Sequence, residues 1–282
     1  MVNSLKPTFI GIGAQKAATS WLAETLKSHP QIYMPRKEIH YFDLHYEKGR
    51  DWYMRQFKDA PNTSISIGEF TPKYMYDQEA SARLIDQYPD IKLICILRDP
   101  VMRAFSQYKF SKHKFNYKHD FREYFYEKND VKERGMYFKQ LSRFSSYLDE
   151  GKLLILVFEE VVSNIQTTFE ELAQFLGVDV DGFRQVEKRG RSNVARFPLL
   201  RSLVCQAGSG LRRRNMHNLA EFGIRFAMPM LRMVLDKKDG TQTLSDDFLK
   251  ELSGEYWSDI NKLESFINRD LSLWPSHPSF HK

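Results

Sequence analysis

An α/β fold with a central, mostly parallel β-sheet flanked by helices is predicted by three observations. Short apolar runs recur along the 282-residue chain, helical periodicity fills the intervals between them, and the first run passes through a turn of small residues directly into a helix. The length is within reach of one such domain carrying insertions. A composition of 42% hydrophobic and 28% charged residues is ordinary for a chain with a packed core.

The first run, Thr8-Phe-Ile-Gly-Ile-Gly13, is β-compatible and bounded by Pro7. Ala14-Gln-Lys-Ala-Ala18 makes the turn. Thr19-Ser-Trp-Leu-Ala-Glu-Thr-Leu26 makes the helix, with Thr19 or Ser20 as its cap and Trp21, Leu22, Thr25 and Leu26 as its apolar face. Ser64-Ile-Ser-Ile-Gly68 reads as a second strand, leading into Glu69-Phe-Thr-Pro72. Residues 79–88 read as a helix ended by Pro89. Ile91-Lys-Leu-Ile-Cys-Ile-Leu97 is the clearest strand, closed by Arg98-Asp-Pro100, and a helix follows over about 101–113. Beyond a polar, aromatic stretch, residues 137–150 read as helix and Leu153-Leu-Ile-Leu-Val-Phe158 as a buried strand. Residues 164–176 form an amphipathic helix ending at Gly177, and 245–269 a C-terminal helix. With no internal repeat or linker, the expectation is one domain over residues 1–282 with a basic helical insertion at about 195–240.

The net charge of +6 is not spread evenly. Residues 195–240 hold nine basic and three acidic residues, an excess equal to that of the whole chain. Its apolar residues interleave with Arg, a pattern that suits peripheral membrane contact, a cover over an acceptor cleft, or a solvated basic face. Two cysteines, Cys95 and Cys205, argue against a disulfide framework and for a reducing compartment. Neither a spanning apolar run nor room for a signal peptide is read, so the expected location is cytoplasmic. Scattered His and Cys make no ligand spacing, and no metal is expected.

The turn after the first strand is placed to offer backbone N–H groups and a helix N-terminus to an anion. A kinase-type loop needs Gly-x-x-x-x-Gly-Lys-Ser/Thr. Here Gly13 to Ser20 reads Gly-Ala-Gln-Lys-Ala-Ala-Thr-Ser, with the Lys too early and the second Gly absent. A dinucleotide fingerprint fails at Lys16, where Gly or Ala is required. A lysine in mid-loop with Thr19-Ser20 opening the helix instead resembles the 5′-phosphosulfate loop of sulfotransferases, with Ala18 where Gly is usual. About eighty residues on, Arg98-Asp-Pro-Val-Met-Arg-Ala-Phe-Ser106-Gln-Tyr108 resembles that family's 3′-phosphate motif. Arg98 leaves a strand end and can fork two donors onto a phosphate, with the Ser106 hydroxyl on the following helix.

The resemblance implies a P-loop-like three-layer fold and the co-substrate 3′-phosphoadenosine 5′-phosphosulfate, released as adenosine 3′,5′-bisphosphate. It places Gln15, Lys16, Ala17, Ala18, Thr19, Ser20, Trp21, Arg98 and Ser106 around the nucleotide. Lys188, Arg189 and Gly190, in the Glu187-Lys-Arg-Gly190 segment, match the family's late basic loop. Lys37-Glu38-Ile-His40-Tyr-Phe-Asp43 is similar to the heparan sulfate sulfotransferases, as are Lys48-Gly-Arg-Asp-Trp-Tyr53 and Glu69-Phe-Thr-Pro-Lys-Tyr74. Phe70 stands where those enzymes usually carry Lys, with Lys73 nearby as the candidate to replace it.

By that likeness Glu38 is the catalytic base, and a partly desolvated carboxylate of raised pKa would suit the task. His40, on the same face if the segment is extended, would assist or orient it, and Lys16 would stabilise the leaving oxygen. The acceptor implied is a glycan, a lipid-linked substrate or a small metabolite, taking sulfate on a hydroxyl or amine, with no nucleic-acid partner. The readings from other classes are a P-loop-type nucleotide kinase or hydrolase, and a non-catalytic membrane- or anion-binding module.

Overall fold

The computed structural model describes residues 6–36, 38–183 and 244–281. Five strands, β1 (Phe9–Gly13), β2 (Ile32–Tyr33), β3 (Ser66–Phe70), β4 (Lys92–Leu97) and β5 (Leu153–Val157), form one parallel sheet in the order β2-β3-β1-β4-β5. All of β1 and β3, and all of β4 except Lys92, is buried. Both faces are covered along these central strands, which is why β1 and β4 read as continuous apolar runs rather than as alternations.

The helices between the strands are α1 (Thr19–Lys27), α2 (Tyr41–Leu44), α3 (Gly49–Arg55), α4 (Gln78–Gln87), α5 (Pro100–Phe115), α6 (Phe121–Glu127), α7 (Asn129–Glu133), α8 (Tyr137–Leu141) and α9 (Ser145–Asp149), and α10 (Phe158–Ser163) and α11 (Ile165–Leu176) follow β5. Several start where a side chain takes up a free amide. Asp77 Oδ1 accepts from Ala80 N at 3.1 Å to open α4, and Asp99 Oδ1 from Met102 N at 2.8 Å to open α5, with Pro100 in the first turn.

Four expectations are corrected. Neither Thr19 nor Ser20 caps α1: the cap position is Ala18, with no side-chain hydrogen bond. The second strand lies two residues later than read, because its ladder with β1 pairs Gly68, Glu69 and Phe70 with Phe9, Ile10 and Gly11. The helix expected over 137–150 tightens to a 3-10 turn at Ser142–Phe144, dividing α8 from α9. The C-terminal helix is two, Asp246–Gly254 and Trp257–Ile267, separated after Gly254, a poor helix former, by Tyr256, which is fully buried. The short strand β2 and helices α2, α3, α6, α7 and α10 carry too few residues for a periodic signal.

Strand order decides where a site can form. The chain leaves β1 towards β2 and β3 on one side, and leaves β4 towards β5 on the other. In parallel sheets the crevice outside the carboxyl ends of two such strands is where ligands bind. The residues after β1, β3, β4 and β5 are therefore brought to one edge. The C-terminal segment is fastened there too: Ser276 N donates to Asp99 Oδ2 at 2.7 Å, and the buried Trp274 donates its indole N–H to Glu159 Oε2 at 2.9 Å. The basic stretch 195–240 lies outside the described residues.

Candidate active site

The loop leaving β1 reverses without glycine. Lys16 and Ala18 both have φ 70, in the left-handed region. Ala17 and Thr19 are buried, Gln15, Lys16 and Trp21 are half-buried, and Ser20 is exposed. The first bond of α1 joins Leu22 N to Ala18 O at 3.1 Å. The amides of Thr19, Ser20 and Trp21 precede it at the start of the helix, the arrangement that suits an anion. Left-handed backbone costs an alanine about 1–2 kcal/mol. Glycine removes that strain but adds about 0.4–1 kcal/mol of unfolded-state entropy. Ala18→Gly is therefore expected to raise stability, by up to about 1.5 kcal/mol. Urea unfolding checks it, and a lowered midpoint would show that Ala18 is not strained.

Arg98 follows β4 directly. Its Nη1 reaches the Lys16 carbonyl oxygen at 3.5 Å, so the two loops expected from sequence adjoin across the β1–β4 pair. The guanidinium lies 4.8 Å from the centroid of Phe158, and its Nε is buried without a hydrogen-bond partner. Burial lowers its pKa, opposed by the charges of Glu159 and Asp99. Arginine stays protonated through such shifts, so the site holds a partly desolvated cation with a donor to spare. Its acidic neighbours are already engaged. Asp99 accepts from Met102 N and Ser276 N, and Glu159 from Asp99 N at 3.1 Å and from Trp274. Burial, with Asp99 close by, pushes Glu159 up to about 7. Ser106 is half-buried on α5. One turn further along that helix, the Phe110 ring lies 3.6 Å from the Lys16 ammonium. This cation–π contact ties α5 to the loop.

A second cluster lies between β2 and α2. Glu38 Oε2 is 3.1 Å from His40 Nε2, and His40 Nδ1 is 3.0 Å from Asp43 Oδ2. Asp43 Oδ2 lies 3.4 Å from Lys73 Nζ, which is also 3.4 Å from Asp77 Oδ2. The Glu38 and His40 side chains keep 35% and 28% of their surface exposed, whereas that of Asp43 keeps none. The hydrogen bond to Asp43, with that to Glu38, raises His40 to about 9 against the cost of burial. Burial works to raise Asp43 too, but the bond and charge of His40, with Lys73, leave it below its ordinary value. At neutral pH His40 is thus an imidazolium that donates to both carboxylates. Its pKa is higher folded than unfolded, so the stability it contributes is complete below about pH 6.5 and lost as pH rises through about 9. His40→Asn, which tolerates the left-handed φ of 58, is expected to lose this dependence. Unfolding midpoints compared between pH 6 and 10 read it; parallel curves for the two proteins would count against the assignment.

The sulfotransferase domain family matches residues 6–210. The chain belongs to the sulfotransferase family. Among curated relatives, the membrane-associated sulfotransferase kil1 of Dictyostelium discoideum is 42% identical over 108 residues, covering 37% of this chain and 23% of the relative. Heparan sulfate glucosamine 3-O-sulfotransferase 3B1 of Mus musculus is 30% identical over 181 residues, covering 61% of this chain and 46% of the relative. The chain spans less than half the length of either. A sulfotransferase from Alicyclobacillus acidocaldarius superposes with a TM-score of 0.69 at 23% identity, over 96% of this chain and 99% of that one, a likeness of fold.

In this sulfotransferase chain Phe70 is a core residue. It is fully buried, and a Cβ on Gly11 would fall 2.1 Å from its ring, so glycine in β1 is what lets the ring seat there. Lys73, nearby, pairs with Asp43. Lys37 and the segment Lys188, Arg189 and Gly190 lie outside the described residues. Asp43, Glu69 and Phe110 were not singled out from sequence as working residues. Asp43 had a usable signal, since a His and an Asp three apart face each other on a helical turn. Glu69 and Phe110 were hidden because the contacts that draw them in, Ile39 N on Glu69 and Lys16 on Phe110, come from distant parts of the sequence. Among the described residues no cluster of His, Cys, Asp and Glu is suited to a metal ion, and no helix is long and apolar enough to cross a membrane.

Proposed function

We propose that this chain transfers a sulfuryl group from 3′-phosphoadenosine 5′-phosphosulfate to a hydroxyl or amine of a carbohydrate acceptor. The observation that carries this is the meeting of the Lys16 loop with Arg98 at the carboxyl ends of β1 and β4. It puts an uncapped helix start and a buried guanidinium with an unpartnered Nε at one place. These residues fit a nucleotide phosphorylated at both ends. When bound, the donor supplies the activated sulfuryl group.

In this reading the amides of Thr19, Ser20 and Trp21 hold the 5′ end, and Arg98 with Ser106 holds the 3′-phosphate, joined by Lys188, Arg189 and Gly190. The Lys16 ammonium offsets charge that builds on the leaving oxygen. Glu38 receives the acceptor's proton, and His40, already protonated, orients Glu38. The carbohydrate acceptor is suggested by relatives named for heparan sulfate glucosamine sulfation. Cys95 is a buried free thiol, in keeping with a reducing compartment.

Two measurements test the proposal. Calorimetry should show adenosine 3′,5′-bisphosphate binding without Mg²⁺; binding of Mg-ATP alone would overturn the donor assignment. Labelled-sulfate transfer should then proceed to a heparan-type oligosaccharide, or to another glycan, in preference to lipid and small-phenol acceptors. Transfer confined to non-carbohydrate acceptors would overturn the acceptor class.

A further inference from the structure

Glu69 is a carboxyl that the chemistry above leaves unused. It lies on β3 with no exposed surface. Burying such a group is costly unless its oxygens are well hydrogen-bonded, and here they are. Oε2 accepts from the Thr71 hydroxyl at 2.5 Å and from Ile39 N at 3.3 Å. Oε1 accepts from the Tyr74 hydroxyl at 2.8 Å and lies 3.5 Å from that of Tyr53.

Each hydroxyl has one proton to give, and Thr71 and Tyr74 both give it to Glu69. Their oxygens are thereby turned into acceptors. Thr71 Oγ1 accepts from His40 N at 3.3 Å, and the Tyr74 oxygen from Tyr41 N at 2.8 Å. Three consecutive amides, those of residues 39, 40 and 41, are thus tied to one carboxyl, directly or through one hydroxyl. The same stretch bears Glu38 and His40, and holds His40 at φ 58. A non-glycine residue keeps such a conformation only where its surroundings over-determine it.

We propose that Glu69 is the positioning residue of the proton-accepting loop, setting the backbone of residues 39–41 so that Glu38 meets His40. The proposal rests on the reading of Glu38 as base. Burial raises Glu69, the bonds from Thr71, Tyr74 and Ile39 and the charge of His40 oppose it, and the balance stands at about 7. The imidazolium and the carboxylate therefore support each other. Glutamine at this position offers one acceptor atom and one donor atom, so it cannot receive all three bonds.

The test has two arms. In the first, Glu69→Gln is expected to lower kcat about 10- to 100-fold for labelled-sulfate transfer to a heparan-type oligosaccharide. The affinity for adenosine 3′,5′-bisphosphate should stay within about twofold. In a Glu38→Gln background the same change should cost nothing further, because the residue acts through Glu38. An equal loss in both backgrounds would mark a general structural role and overturn the proposal. In the second arm, NMR titration of the His40 ring needs no acceptor. Glu69→Gln and, independently, Thr71→Val should move it from about 9 towards the ordinary value of about 6.5, with Thr71→Ser restoring it. A ring that still titrates near 9 in both folded variants overturns the proposal. Normal turnover of Glu38→Gln itself would instead remove the base assignment, leaving the titration to decide on Glu69.

Discussion

Glu38→Gln is expected to lower kcat by about 10²–10⁴ while the affinity for adenosine 3′,5′-bisphosphate is nearly unchanged. The substitution keeps the shape of the side chain and its bond to His40, and removes the capacity to take a proton. Its neighbours make it the best-placed acceptor in the second cluster. His40 already carries a proton at neutral pH, and Asp43 is buried beneath His40 and Lys73. His40 is therefore a poor fallback as base, and its own replacement should act by releasing Glu38. Labelled-sulfate transfer gives kcat and calorimetry gives the affinity. Near-normal turnover would remove Glu38 from the chemistry. A parallel loss of nucleotide binding would show that the variant disturbed the donor site instead.

Arg98→Ala is expected to weaken binding of adenosine 3′,5′-bisphosphate by roughly tenfold to a few hundredfold, as a charged hydrogen bond to phosphate is worth about 1.5–3 kcal/mol. Binding of 5′-AMP should fall much less. The guanidinium is poised for a phosphate: partly desolvated beside Phe158, with an unpartnered Nε, and with its acidic neighbours Asp99 and Glu159 bound to other groups. Arg98→Lys should recover only part of the loss, because an ammonium cannot fork two parallel donors. Calorimetry with the two nucleotides reads the difference. Equal losses for both would move Arg98 away from the 3′-phosphate and leave it a support for the Lys16 carbonyl.

The sequence by itself determined the order of the longer elements and singled out the segments around Lys16 and Arg98. These signals are local. The apolar run Phe9–Gly13, the small-residue turn and the helix face of Leu22, Thr25 and Leu26 all fall within some twenty residues. Arg98 to Ser106 is likewise legible because a strand end and the first turns of α5 are contiguous in the chain. Even there, a detail of backbone was hidden. Helix chemistry suggests Thr19 or Ser20 as the cap of α1, yet the loop arrives through a left-handed Ala18.

Tertiary structure alone decided what depends on strand order and on burial. Residues 16 and 98 meet only because β1 and β4 are neighbours in the sheet. Phe70 faces Gly11 because β3 lies on the other side of β1, which makes a position resembling an acceptor-side lysine part of the core. Lys73 reaches Asp43, and Glu69 reaches Ile39, from thirty residues away in the chain. No periodicity encodes such contacts. The protonation of His40 follows from them as well: an imidazole is a base or a cation according to the carboxylates around it, and Asp43 and Glu38 are set against its two nitrogens by a loop whose amides end on a carboxyl from another strand.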